Sequence, residues 1–194
     1  MKGKDPDNMQ EGDEDYITKT KLKPFFKDSC HNGFNPGTDE NFFIVYHNLF
    51  VKLDQEEEME EQAGTKHFTA PFFGSLNSSM DEVFAFYENW KFFTTSKQFT
   101  YADLYNPKEA PNRRVKRIIE QENKKERQKE RVKFNEIVRE LVELIKNKDP
   151  RYKKFTLQVQ QEKDEKRRKL EDERAAKRAT EAERLRIFRE ERAA

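Results

Sequence analysis

The sequence has a single cysteine, Cys30, among its 194 residues. One thiol cannot form a disulfide within the chain, which favours a reducing compartment such as the cytosol. The Cys30-His31 pair also has no second pair with which to complete a zinc site. No apolar run approaches the ~18 residues that a membrane span requires. The first residues, MKGKDPDNMQEGDEDY, lack the apolar core of a signal peptide. We therefore expect a cytoplasmic protein with no membrane partner, and a nuclear location stays open.

Motifs for catalysis and cofactor binding are also missing. The six glycines are scattered and form no phosphate-binding loop. The three histidines, His31, His47 and His67, lie in different segments without metal-ligand or nucleophile-base spacing. Acidic residues are abundant, but we expect them in exposed runs rather than in pockets that would shift their pKa. The sequence therefore predicts no enzyme, no catalytic residue, no metal, no cofactor and no small-molecule ligand.

Charge is what the sequence has in abundance, at 40% of residues against 34% hydrophobic. The net charge of +1 hides a strong polarity along the chain. Residues 1–110 contain 11 lysines, no arginine and 20 acidic residues, whereas residues 111–194 contain 28 basic and 18 acidic residues. An acidic first part and a basic second part indicate a partner that is itself strongly charged.

The apolar residues predict an all-α fold, with a small helical domain around an aromatic core. Most of the 17 phenylalanines fall between positions 25 and 99, which places the core there. Apolar residues in NFFIVYHNLFVKL recur at helical spacing, which predicts a short helix over residues 42–53. A second helix should follow Ser79, a good N-cap with Asp81 and Glu82 in the first turn. Trp90 on this helix could stack on nucleic-acid bases, but its spacing favours the core.

A long basic helix should follow, from Pro111 to Lys148. Its second half carries an apolar stripe that should pack against the aromatic helix: Phe134, Ile137, Val138, Leu141, Leu144 and Ile145. After Asp149-Pro150 the chain consists mostly of Glu, Lys, Arg, Gln and Ala. These residues suit an extended single helix of ~65 Å supported by ion pairs one turn apart. A coiled-coil scaffold is the weaker alternative, since no heptad is sustained. We expect three regions: an irregular linker at 1–40, a domain at 41–149 and a charged helix at 150–194.

The stretch RRVKRIIEQENKKERQKER, residues 113–131, sorts its charges by side. In a helix six cations share an arc of about 100°; they are Arg113, Lys116, Arg117, Lys124, Arg127 and Arg131. Glu120 intrudes on this arc, and the other glutamates lie on the far side. Segregated cations suit a surface that follows phosphates, although a solvated helical face stays open. No base-reading motif is present, so backbone or shape recognition of a folded RNA is favoured. Generic nucleic-acid binding is a further alternative.

Four stretches in order carry a resemblance to a known family: NFFIVYHNLF, GSLNSSMDEVFAFYENWKFFTTSKQF, NRRVKRIIEQENKKERQKER and VRELVELIKNKDPRYKKF. Their combination, from about Asn41 to Phe155, resembles the zuotin homology domain. FYENWKFF is similar to the family's aromatic helix, and KDPRYKKF to its Asp-Pro-Arg junction. Residues 156–194 look like the start of the family's middle-domain helix. The sequence departs from the family at Gln121, where relatives usually carry a basic residue, and at TTSK after Trp90.

The resemblance implies a ribosome-docking module of a J-domain co-chaperone. Such a domain would bind ribosomal RNA and a neighbouring ribosomal protein near the tunnel exit of the large subunit, beside the nascent chain. By position, the family's ribosome contacts fall on Lys116, Arg117, Lys124 and Arg127. In the full-length protein a heat-shock-type chaperone partner is also implied. The J-domain tripeptide His-Pro-Asp is absent. We therefore expect a fragment that docks but does not stimulate an ATPase.

Overall fold

The computed structural model describes residues 17–60 and 71–193. Within these residues it contains α-helices and short 3-10 turns but no β-strand, so the predicted all-α fold is confirmed. The chain divides into two compact units, residues 1–149 and residues 150–194. The α-helices of the described residues are α1 Lys19–Leu22, α2 Phe42–Met59, α3 Met80–Trp90, α4 Arg113–Lys148 and α5 Pro150–Ala193.

Side-chain caps fix where the two helices of the aromatic region begin. The Asn41 side chain accepts hydrogen bonds from the backbone N–H groups of Phe43 and Ile44 and thereby starts α2. Ser79 and Glu82 form a capping box at the start of α3, as the sequence predicted for Ser79. Helix α2 runs six residues beyond the predicted end at Leu53, and so includes most of the acidic run DQEEEMEE.

The core is a cluster of aromatic rings between α2, α3 and α4. Trp90 is 1% exposed and stacks on Phe93, with 5.3 Å between the ring centroids. The ring centroids of Phe50 in α2 and Trp90 lie 4.7 Å apart, and those of Phe134 in α4 and Phe93 lie 6.2 Å apart. Such ring pairs add to the burial of the apolar surface. The core role of Trp90 is confirmed, and its side chain is not available for stacking on a base.

Residues 17–40 are more than the irregular linker that we expected for residues 1–40. The backbone is largely irregular, but Ile17 is 5% exposed and Leu22 is fully buried. The side chain of Lys19 pairs with Glu130 of α4. The two aliphatic side chains stand apart in a polar stretch, so sequence periodicity gave no sign that they belong to the core.

A buried ion pair joins α2 to the loop after α3. Lys97 Nζ lies 2.6 Å from Glu56 Oε2, and the two side chains are 1% and 9% exposed. Lys97 Nζ also donates to the backbone oxygen of Ile17 at 3.1 Å and lies 4.7 Å from the centre of the Phe134 ring. Removing one partner of such a pair leaves a buried charge uncompensated. The ion pair therefore links α2, the chain before α1 and α4 at one point.

Glu57, the next residue, is also buried and holds the same loop. Its carboxylate accepts hydrogen bonds from the Thr95 hydroxyl and the Ser96 backbone N–H. Burial raises the pKa of Glu57, and these hydrogen bonds and Lys97 act in the opposite direction. The expectation of exposed acidic runs is wrong for Glu56 and Glu57. They lie one turn after Leu53 and two turns after Leu49, and so continue the buried side of α2.

The second unit is α5, which is one unbroken helix from Pro150 to Ala193. Every residue from 165 to 192 is exposed, so no packing within the described chain supports that part. Ion pairs one turn apart do so instead, for example Glu165–Lys169 and Glu173–Lys177, each at 2.6 Å. Neither α5 nor any other described helix is apolar over a length that could cross a membrane.

The first prediction compares two ion pairs of equal length and unequal burial. Lys97→Met should lower the free energy of unfolding by about 3–5 kcal/mol, because Glu56 then stays buried without a counter-charge. The control is Lys129→Met on α4, whose amine also lies 2.6 Å from a carboxylate, that of Glu126, but is exposed. It should change stability little. Urea unfolding followed by circular dichroism measures both variants, and equal losses would contradict the role of the buried pair.

The second prediction concerns pH. Because burial raises the pKa of folded Glu57 above its ordinary 4.5, the folded state holds this proton more tightly than the unfolded state. Wild type should therefore lose stability relative to Glu57→Gln as the pH rises from about 4.5 through the folded pKa. Urea unfolding of both proteins at several pH values measures the difference, with the exposed Glu58→Gln as control. A wild type that gains stability relative to Glu57→Gln as the pH rises would contradict the prediction.

Candidate nucleic-acid interface

The candidate interface begins at the N-terminus of α4. The Asn112 side chain accepts a hydrogen bond from the backbone N–H of Val115 at 2.9 Å and starts the helix. The first turn contains no acidic residue, and Arg113, Arg114, Lys116 and Arg117 follow the cap directly. A helix N-terminus carries partial positive charge, so cations there are unfavourable for the helix itself. The same end is suited to binding an anion.

The basic side of α4 is the continuation of its core-facing side. Residues seven apart lie on nearly the same side of a helix. The series Arg117, Lys124, Arg131, Val138 and Ile145 follows this spacing. Arg117 and Lys124 are exposed, Arg131 is partly buried, and Val138 and Ile145 are fully buried. Between Arg113 and Glu122 no α4 side chain is buried within the described structure. The cations thus continue the core-facing side of α4 beyond the part of the helix that is packed in the domain.

Two of the six predicted cations contact the domain itself. Arg127 Nε donates to Asp103 Oδ1 at 2.6 Å, with about a third of the arginine side chain exposed. A terminal nitrogen of Arg131 donates to the backbone oxygen of Lys97 at 3.2 Å. Lys97 is the residue of the buried ion pair. Arg127 and Arg131 therefore tie α4 to the segment that follows α3.

The other four predicted cations, Arg113, Lys116, Arg117 and Lys124, are exposed. Lys116 lies 3.9 Å from Glu120, at the outer limit for an ion pair. No ion pair within residues 17–60 and 71–193 involves Arg113, Arg117 or Lys124. Arg114, which was not among the predicted residues, has the same environment. Within the described residues Arg113, Arg114, Arg117 and Lys124 thus have no carboxylate partner, which suits them to contact an external anion.

Cations on the opposite side of α4 are neutralised by glutamates. Lys125 pairs with Glu122 at 2.7 Å, and Lys129 and Lys133 pair with glutamates three residues earlier. The hydrogen bond from Lys129 to Glu126 raises the pKa of Lys129. Such exposed pairs contribute little to stability, but they cancel the charge of this side. The net positive charge of the helix therefore lies on the side of Arg117 and Lys124.

Asn123 positions this part of α4, a role that the sequence did not predict. It is fully buried, and its side-chain oxygen accepts from the backbone N–H groups of Leu104 and Tyr105 at 3.0 and 3.2 Å. Its side-chain amide nitrogen donates to the backbone oxygen of Tyr105 at 2.8 Å. A signal was present, because asparagine is a poor helix former among strong ones in this stretch. Asn123 holds the segment before α4 against the basic part of the helix.

No described region groups three or more His, Cys, Asp or Glu side chains closely enough to hold a metal ion. The arrangement on α4 presents positive charge and hydrogen-bond donors, which suits it to binding anions.

Comparison with known proteins agrees with this geometry. The family model described as zuotin-like, zuotin homology domain matches residues 41–153, which is more than half of the chain. The chain belongs to the zuotin homology domain family. The matched residues include the aromatic core, the buried ion pair and all of α4. The resemblance seen in the sequence is therefore confirmed.

Similar proteins are much longer than this chain. DnaJ homolog subfamily C member 21 of Danio rerio is 35% identical over 173 residues, which is 88% of this chain and 31% of that protein. The Homo sapiens protein of the same name is 37% identical over 153 residues, 78% of this chain and 28% of its own length. DnaJ homolog subfamily C member 2 of Danio rerio is 30% identical over 164 residues, which is 77% of this chain and 25% of that protein. The chain spans less than a third of each.

The third prediction tests whether Asn123 supports the fold. Asn123→Ala should lower the free energy of unfolding by about 1–3 kcal/mol, because buried backbone groups of Leu104 and Tyr105 lose their partner. The matched control is Asn147→Ala, in the same helix but exposed. It should be neutral or slightly stabilising, since alanine favours helix. Urea unfolding compares the two variants, and similar values would show that Asn123 is not a structural anchor.

Proposed function

We propose that this chain docks on the large ribosomal subunit through phosphates of ribosomal RNA bound by α4. The four exposed cations Arg113, Lys116, Arg117 and Lys124 contact the phosphates. Arg127 and Arg131, which the sequence also suggested as contacts, act mainly by fixing α4 against the domain. The observation that carries this proposal is the row of cations on one side of α4, of which Arg113, Arg117 and Lys124 form no ion pair with described residues.

The position of these cations supports an anionic partner. Four basic residues occupy the first five positions of α4, where the helix dipole disfavours them. On the far side of the same helix, cations are balanced by glutamates. A helix that needed charge only for solubility would show the same balance on both sides. We therefore attribute the unbalanced positive charge on one side of α4 to the binding of a ligand.

The family places this domain within larger co-chaperone proteins, which suggests the remaining partners. We infer that the domain also touches a ribosomal protein near the tunnel exit and holds the co-chaperone beside the nascent chain. A heat-shock-type chaperone partner would act through parts of the longer protein. The protein would then be cytoplasmic and ribosome-associated. The domain's own task is binding, and α5 leads from it as a helix of ~66 Å.

The fourth prediction uses two sets of equal charge change on α4. Arg113→Gln, Arg117→Gln and Lys124→Gln together should strongly reduce co-sedimentation with large ribosomal subunits. The dependence of binding on salt should also become shallower, by about one unit of log–log slope for each phosphate that is no longer neutralised. The control replaces Lys125, Lys129 and Lys133 with glutamine and removes only cations that are already paired. This control set should bind nearly as wild type does.

Circular dichroism verifies that both sets remain folded. If the two sets lose equal affinity, net charge alone determines binding, and the assignment of this side of α4 is wrong. Preference for random RNA duplexes over purified ribosomes would favour generic nucleic-acid binding instead.

A further inference from the structure

Two large apolar side chains stand exposed beside the basic part of α4. Leu104 is 48% exposed and Tyr105 is 56% exposed. Their backbone is nevertheless held firmly, because the fully buried Asn123 makes three hydrogen bonds to it. The exposed pair is therefore presented by an ordered backbone rather than by a loose loop.

The neighbouring residues fix this segment further. Asp103, just before the pair, is bound to Arg127 of α4 at 2.6 Å. Just after the pair, the Asn106 side chain accepts from the backbone N–H of Lys108 at 3.0 Å and starts a 3-10 turn over Pro107–Glu109. The segment is thus anchored on both sides of Tyr105, which reduces the entropy lost when a ligand binds.

Exposed cations lie close to this position along the chain and along α4. Lys124 directly follows Asn123, the residue that holds Tyr105. Lys116 precedes Asn123 by seven residues and so lies on the same side of α4, about 10 Å along the axis. Lys108 is exposed as well and forms no ion pair with described residues. An aromatic ring flanked by cations is the arrangement that single-stranded RNA-binding proteins use.

We propose that Tyr105 is a stacking platform for one unpaired RNA base, with Leu104 as its apolar border. The phosphates on either side of this base are bound by Lys116 and Lys124. This inference rests on the proposed RNA function and adds that the contacted RNA contains an unpaired nucleotide. Trp90, whose spacing favoured the core over base stacking, is buried, whereas Tyr105 is exposed.

Charge favours a nucleotide over an apolar protein segment as the occupant. Among the described residues, the acidic groups beside Tyr105 in the chain are Asp103 and Glu109, and Glu120 lies about one turn before Asn123 on α4. Asp103 is neutralised by Arg127, Glu109 accepts a hydrogen bond from Asn106, and Glu120 faces Lys116 at 3.9 Å. Positive charge therefore dominates the surroundings. A purely apolar partner would leave those cations without a counter-ion at the edge of its interface.

The test measures binding of the 194-residue chain to a fluorescein-labelled single-stranded RNA and to the same RNA annealed to its complement. Tyr105→Ala should weaken single-strand binding about tenfold, since stacking on one base is removed. Duplex binding should stay unchanged, because paired bases cannot reach the ring. Tyr105→Phe should bind as wild type does, since phenylalanine keeps the aromatic face.

A matched control and a spectroscopic signal make the test specific. Phe92 is 65% exposed but follows α3, near Arg139 and about 24 Å along α4 from Asn123. Phe92→Ala should not change RNA binding. A fluorescent 2-aminopurine placed in the single strand should be quenched by wild type and not by Tyr105→Ala.

Three results would overturn the proposal. Equal single-strand binding by Tyr105→Ala and wild type would exclude stacking while leaving the phosphate contacts intact. A Tyr105→Ala variant that loses ribosome binding but keeps RNA affinity would show that this surface meets a protein. If wild type binds neither RNA, the RNA part of the proposed function is wrong as well.

Discussion

The fold depends on the buried contact between Lys97 and Glu56. The loop after α3 buries Phe93 and Phe99, and charge-assisted hydrogen bonds hold the polar stretch between them. Glu57 binds this loop from α2, and Asn135 of α4 accepts from its Thr95 N–H at 2.9 Å. Arg131 then binds the backbone oxygen of Lys97. The position of the basic helix is therefore set by the same residues that close the core.

One side of helix α4 is exposed along the first half of the helix and packs in the core along the second half. Its last four turns bury Val138, Leu141 and Ile145, and its first turns expose arginine and lysine in the same rows. A single continuous element therefore transmits the rigidity of the core to a surface outside it. Sites on such elements are positioned more accurately than sites on loops. This geometry suits a domain whose task is to hold a larger protein in place.

Local patterns predicted the helices but not their polar anchors. Apolar spacing located α2, α3 and the second half of α4, and the Ser79 cap located the start of α3, because these signals act within one or two turns. The burial of Glu56 could not be seen, since Lys97 lies 41 residues away and periodicity carries no information about partners. The predicted arc of cations does not lie wholly on the surface, because Arg127 and Arg131 contact the domain. The seven-residue spacing from Arg131 to Val138 would have shown that part of the arc points to the domain.

The arginines at the start of α4 have one more consequence. In the free protein they repel one another and oppose the helix dipole, so the first turns of α4 are less stable than their sequence would otherwise make them. An anion bound there removes this repulsion. Binding and folding are then thermodynamically linked, and the ligand stabilises the end of the helix that receives it. Affinity for the partner and the order of the first turns of α4 must rise and fall together.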